Sequence, residues 1–253
     1  VASLRDLIDH LDALLNPSSF ADFGPNGLQV PGREEVATVA TGVSATAELF
    51  ERAAEAGADL VLTHHGLFWE GAPRALDRPA RRRLKLLFDA DMSLAAYHLP
   101  LDGHLEVGNN ALIAAGLGCD TWEPFAAHRG TPIGVAGRFR DPGIAADDLI
   151  ARVRELTARE PLAFLDGPPM VRTIGIVSGA GAGFLADSIA AGHDVFLTGE
   201  PAERVMAQAR EAEISFVAAG HYATETFGVR ALGERLATEF GVRHFFIDLP
   251  NPV

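Results

Sequence analysis

A chain of 253 residues with 34 acidic and 21 basic side chains has a formal net charge of −13, a balance that opposes binding to a phosphate backbone. Hydrophobic residues at 48% and charged residues at 22% are globular proportions, and the length is enough to bury a large core in one domain or two. No apolar run reaches the roughly 18 residues of a membrane span. Val1 to Leu15 is an acidic amphipathic pattern rather than a basic leader, so a cytoplasmic protein is expected. The lone Cys119 excludes an intramolecular disulfide and a cysteine-rich zinc site, which leaves His, Asp and Glu as the protein ligands for any metal.

Leu4, Leu7, Ile8, Leu11, Leu14 and Leu15 recur at helical spacing behind Ser3, a candidate N-cap, and the pattern stops at Asn16-Pro17. Residues 21–32, crowded with Gly, Pro and Asn, read as a shaped loop. A strand is expected over 36–43, a helix over 46–56 ended by Gly57, and a short buried strand over 59–63 running into His64-His65-Gly66. A helix over 78–90 and a strand over 93–97 ending at His98 follow. Farther on, a strand is expected over 173–177, a helix over 184–191, a strand over 217–220 and a helix over 222–239. Such alternation predicts largely parallel sheets with functional groups at the carboxyl ends of strands.

The second half repeats the first. Gly57 to His65 (GADLVLTHH) matches Gly192 to Glu200 (GHDVFLTGE), and Ala95 to Asp102 (AAYHLPLD) matches Ala218 to Glu225 (AAGHYATE). His98 then stands over His221 and Asp102 over Glu225. The expected fold class is therefore α/β, with two duplicated lobes, 1–127 and 128–253, packed around a shared cleft. The Pro-, Gly- and Arg-rich residues between Phe125 and Gly143 mark the junction.

His64-His65 sits where a strand breaks into a Gly-containing loop, so both rings can turn inward as ligands of different metals. The ordinary alternative for an isolated pair is one capping and one solvated histidine. His221 and Glu225, four apart at the start of an expected helix, share a face and suit metal ligation, against the alternative of a surface pair. Asp102 holds the corresponding place in the first lobe, although Pro100 argues against a regular helix there. His98 and His104 flank it as ligands, proton carriers or orienting partners. Together His64, His65, Asp102, His221 and Glu225 make a mixed N/O set suited to Zn, Mn or Fe(II), enough for two divalent ions roughly 3.5–4 Å apart with metal-activated water between them. Glu200, over His65 in the repeat, reads as a general base, an orienting partner or a helix N-terminal charge. Ser178 to Gly183 (SGAGAG) follows a strand and precedes a helix, a context for phosphate binding or for a simple tight turn. Cys119 reads as a buried structural thiol, Arg81 to Arg83 as a solvated helix face, and Phe68 and Trp69 as pocket wall or core packing.

The motifs GPNGLQV (24–30), LTHHGLF (62–68), YHLPLD (97–102), GNN (108–110), LTGE (197–200) and AAGHYATE (218–225) resemble, in this order, the Nif-three-like dinuclear metal-binding family, often called GTP cyclohydrolase I type 2. The resemblance covers nearly the whole chain. It implies that His64, His65, Asp102, His221 and Glu225 hold two metals, that the chain forms a ring-shaped homohexamer, and that the substrate is a small anion such as GTP. On GTP, activated water would attack the purine C8 and formate would leave, with Glu225 or Glu200 assisting proton transfer. Many relatives carry a second histidine after the one matching His221 and an arginine after the glutamate, where this chain has Tyr222 and Thr226. The alternative to a hydrolase is a non-enzymatic metal-binding regulatory ring that presents a surface to a partner.

Overall fold

A computed structural model describes residues 1–253 and shows an α/β fold in which parallel and antiparallel pairings are mixed. The chain forms two compact units, one of residues 1–101 and 228–249, the other of 102–227 and 250–253. The expected division at 127/128 falls within Thr121–His128, a strand that pairs with Thr131–Arg138 in the second unit. No helix is long and apolar enough to cross a membrane.

In the first unit a five-stranded sheet runs Arg243–Phe246, Thr38–Ser44, Leu60–His65, Ser93–Ala96, Gly27–Val30. All neighbours are parallel except the last pair. Thr38–Ser44 and Leu60–His65 are buried along almost their whole length, as strands covered on both faces must be. The helix Leu4–Leu15 starts where Ser3 Oγ accepts from the Asp6 N–H and stops at Asn16, whose left-handed backbone (φ 45°) turns the chain. Thr46 caps the helix Ala47–Glu55 through the Leu49 N–H rather than belonging to it. Leu49 and Phe50 from this helix and Leu87 from Arg78–Asp89 pack on Val61 and Leu94 of the sheet.

The second unit holds a six-stranded sheet in the order Leu162–Phe164, Ser215–Ala218, Val195–Thr198, Thr173–Val177, Thr131–Arg138, Thr121–His128. Only the two central pairings are parallel. The outer ones are antiparallel, so the expectation of largely parallel sheets describes the first sheet and only the middle of the second. For the edge pair of Thr121–His128 with Thr131–Arg138 the reason is local: Arg129 and Gly130 both have positive φ (48° and 90°), the backbone of a two-residue hairpin turn that joins its strands antiparallel. Val135, Ile174, Ile176 and Val217 form the core with Leu149 and Val153 of the helix Ala146–Thr157.

The repeat is visible as a shared device. Asp59 accepts the Ala37 and Thr38 N–H groups at 2.8 and 3.0 Å, and Asp194 accepts those of Arg172 and Thr173 at 2.7 and 2.9 Å. In each unit the carboxylate at the start of one parallel strand holds the start of its neighbour. Cys119 is buried, and that burial pushes its thiol up to about 12 although the Arg152 charge pulls the other way, as suits an inert structural thiol.

Several expected elements differ in detail: the strand expected over 217–220 is Ser215–Ala218, and the loop over 21–32 carries the strand Gly27–Val30. Leu99–Asp102 forms one helical turn despite Pro100, which lies at its second residue, where no intrahelical N–H is needed. The expected helix over 184–191 is preceded by a 3₁₀ turn, Gly181–Phe184. The expected helix over 222–239 is two, His221–Thr224 and Thr226–Phe240, broken at Glu225 (φ −113°, ψ 8°). Pairing on one face therefore comes from a single tight turn rather than from a continuous helix.

Candidate metal centre

In the first unit His64 and His65 end the strand Leu60–His65, and His98 follows Ser93–Ala96, its parallel neighbour. Each offers one ring nitrogen, and the three atoms lie within 4.8 Å of one another. His64, fully buried, donates from Nδ1 to the Tyr97 carbonyl at 3.0 Å, so its proton is on Nδ1 and Nε2 keeps a lone pair. His98 donates from Nδ1 to Asp22 Oδ1 at 2.7 Å, while its backbone N–H goes to Asn26 Oδ1. Burial works to raise the Asp22 carboxyl, yet the hydrogen bonds and charge of His98, with those of Asn26 and the Phe23 N–H, hold it down at about 2. His65 Nδ1 hydrogen-bonds with Ser44 Oγ at 3.0 Å. Phe68, Trp69, His64 and His98 line a cavity of about 10 Å³, room for about one water or ion, so both aromatic residues serve as pocket wall.

In the second unit His221 opens its short helix at the end of Ser215–Ala218, with its Nδ1 on Glu200 and its Nε2 3.1 Å from Glu225 Oε2. Burial alone would lower the His221 pKa. The hydrogen bond and charge of Glu225, joined by those of Glu200, outweigh it and hold the group up at about 9. A proton then lies between two atoms that could ligate a metal, in the place a cation would take in a His/carboxylate site, and metal uptake there would release it. Asp102, 7% exposed, accepts from Asn109 Nδ2 at 2.9 Å and Ser178 Oγ at 3.0 Å. His104 Nδ1 accepts from the Glu106 and Val107 N–H groups, closing the turn after Asp102.

Residues without an assigned role in the sequence reading support this second-unit cluster. Asn110 Nδ2 reaches the Asp102 and Ile133 carbonyls, and its Oδ1 accepts the Ser178 N–H at 2.7 Å. The Gly179 N–H donates to Thr224 Oγ1, and its carbonyl accepts the Gly199 and Glu200 N–H groups. The first two N–H groups of the 178–183 loop are thus committed within the protein, which makes the loop a support for Asp102 and the 221–225 turn rather than a phosphate cradle. Gly179 also has no room for a side chain: a Cβ there would stand 2.2 Å from Glu225 Oε1. The signals were present as the Asn109-Asn110 pair and a glycine-rich turn after a strand.

The donor set fits divalent metal. Three imidazoles have their second nitrogen engaged by a carbonyl, a hydroxyl or a carboxylate, and a fourth is oriented by Glu200, the arrangement that fixes metal-binding histidines. The His221 shift also sets a pH dependence. Its pKa is above the 6.5 of an unfolded histidine, so its stabilising contribution is complete below about 6.5 and is lost as pH rises through about 9. Thermal melts of metal-free protein should fall across that interval, and Glu200→Gln should flatten the fall. An identical profile in the variant would show that Glu200 does not hold the proton.

A family model described as Duf34/NIF3 (NGG1p interacting factor 3) matches residues 2–252. A Pseudomonas aeruginosa protein named GTP cyclohydrolase 1 type 2 homolog is 44% identical over 250 residues, 99% of this chain and 98% of its own length. An Escherichia coli protein of the same name is 40% identical and covered over 94% of both chains. Among solved structures, protein ybgI, described as of unknown function, superposes with a TM-score of 0.93 at 38% identity, over 99% of this chain and 100% of its own. TTHA1606 from Thermus thermophilus does so with 0.91 at 38%, with the same coverage. Matched end to end in sequence and in fold, this chain belongs to the DUF34/NIF3 family.

Proposed function

We propose that the protein is a dinuclear metal-dependent hydrolase in which His64, His65, Asp102, His221 and Glu225 hold two divalent ions of Zn, Mn or Fe. The observation that carries the reading is the locked tautomer of His64, with Nδ1 on a carbonyl that can only accept, alongside the Glu200–His221–Glu225 chain. When bound, the ions supply Lewis acidity toward a substrate oxygen and lower the pKa of water. Glu225 and Glu200 then manage protons: Glu225 takes one from the attacking water, and Glu200 keeps the His221 ring turned so that Nε2 faces the ligand side. His98, fixed by Asp22, orders the ring cluster and is available for the leaving-group proton.

The name shared by the relatives suggests a nucleotide substrate. On GTP, one water opens the imidazole ring at C8 and a second releases that carbon as formate. The test is metal content and formate release from GTP in wild type, Asp102→Ala and Glu225→Ala. Both carboxylate variants are expected to lose at least one metal per chain and at least ~100-fold in turnover while melting cooperatively. Metal retained with GTP untouched by the wild type would leave the site standing and remove the substrate.

A further inference from the structure

The Arg81–Arg83 run belongs to a denser basic segment, RPARRRLK from Arg78 to Lys85, in a chain of net charge −13. It opens the helix Arg78–Asp89, which packs along Ala47–Glu55. Thr46, Ala47, Arg78, Pro79, Arg82 and Arg83 line a cavity of about 470 Å³, within the roughly 300–1,000 Å³ of small-ligand sites. We propose that this cavity binds a polyphosphate group, as carried by nucleoside di- and triphosphates.

The charges around the cavity leave cations over. Glu51 pairs with Arg82 and Glu48 with Arg52, each at 2.6 Å, while Asp77 is occupied in capping the Ala80 N–H. Arg78 and Arg83 have no ion pair, and the buried Arg83 Nε has no hydrogen-bond partner. Thr46 Oγ1 takes only the Leu49 N–H, so the first N–H groups of the Ala47–Glu55 helix add the positive end of its dipole to the same wall. Guanidinium forks and helix N–H groups are together the donors that phosphate oxygens accept from.

The cavity lies at the carboxyl edge of the five-stranded sheet. Thr46 follows the strand Thr38–Ser44, and Ser44 is both the register partner of His65 and its hydrogen-bond partner. The arginine-lined cavity and the histidine cluster of the same unit thus share the carboxyl edge of one sheet. As the phosphate seat of the hydrolase substrate the cavity rests on the function proposed above; as an anion site it requires no metal.

The experiment is a calorimetric titration of the EDTA-treated chain with inorganic tripolyphosphate at low and moderate salt. One site per chain is expected, weakened about tenfold by Arg78→Gln and about tenfold by Arg83→Gln, displaced by GTP and weaker at higher salt. Arg81→Gln, on the same helix but outside the lining, should stay within about twofold of wild type. Equal losses in all three variants would mean diffuse attraction to a basic helix and would overturn the proposal. Absence of binding, unchanged affinity in the Arg78 and Arg83 variants, or failure of GTP to compete would also overturn it. Because the titration uses metal-free protein, a wild type without GTP turnover removes GTP as the substrate of the proposed hydrolase and leaves this measurement intact.

Discussion

Gly179→Ala should strip the protein of metal without unfolding it. The added Cβ would stand 2.2 Å from Glu225 Oε1 and 3.2 Å from His221 Nε2, and Glu225 is only 3% exposed. The Gly179 backbone has φ +61°, so alanine there also carries a left-handed penalty of about 1–2 kcal/mol. The carboxylate must swing away from the imidazole, and metal affinity is expected to fall at least ~10–100-fold, the range seen when a ligand loses its orienting partner. Metal content after dialysis against a weak chelator, read beside far-UV circular dichroism, measures this. Wild-type metal retention in the variant would take Glu225 out of the ligand set.

The largest stability effect is expected at Asp59. Its carboxylate accepts two backbone N–H groups, one from the buried Thr38, and pairs with Arg33 at 2.9 Å. Asp59→Ala leaves these donors without an acceptor beside two strands buried along almost their whole length. At about 1–3 kcal/mol for each buried donor left unsatisfied, the cost should be about 3 kcal/mol. The equivalent Asp194→Ala should cost roughly half as much, because Thr173 is only half-buried where Thr38 is buried, so water can replace the carboxylate there. Urea midpoints of the two variants give the comparison. Equal small shifts would mean that the strand starts find other partners.

The same two aspartates show why so much of the fold was readable. The match of GADLVLT to GHDVFLT preserves a carboxylate, a buried strand and a threonine, and the carboxylate and the strand have the same structural use in both units. The histidines and carboxylates stood out because few other side chains end a buried strand with chemistry to offer. What escaped the sequence depends on backbone geometry. The hairpin over 121–138 turns on left-handed Arg129, a conformation that an arginine does not advertise. The break at Glu225 lies inside a run with unbroken helical periodicity. Asn109, Asn110 and Gly179 act through single hydrogen bonds and one close approach, which composition and periodicity do not register.

The first unit takes its last strand from the far end of the chain. Arg243–Phe246 lies parallel to Thr38–Ser44 across about two hundred intervening residues, and its removal turns a buried strand into a bare edge. During synthesis the amino-terminal unit must therefore wait, with that edge open, until nearly the whole polypeptide has emerged. The second unit has almost all of its residues by 227 and is free to fold sooner. The order of assembly is then the reverse of the order of translation, and the half that is made first is the half that most needs shielding on the ribosome.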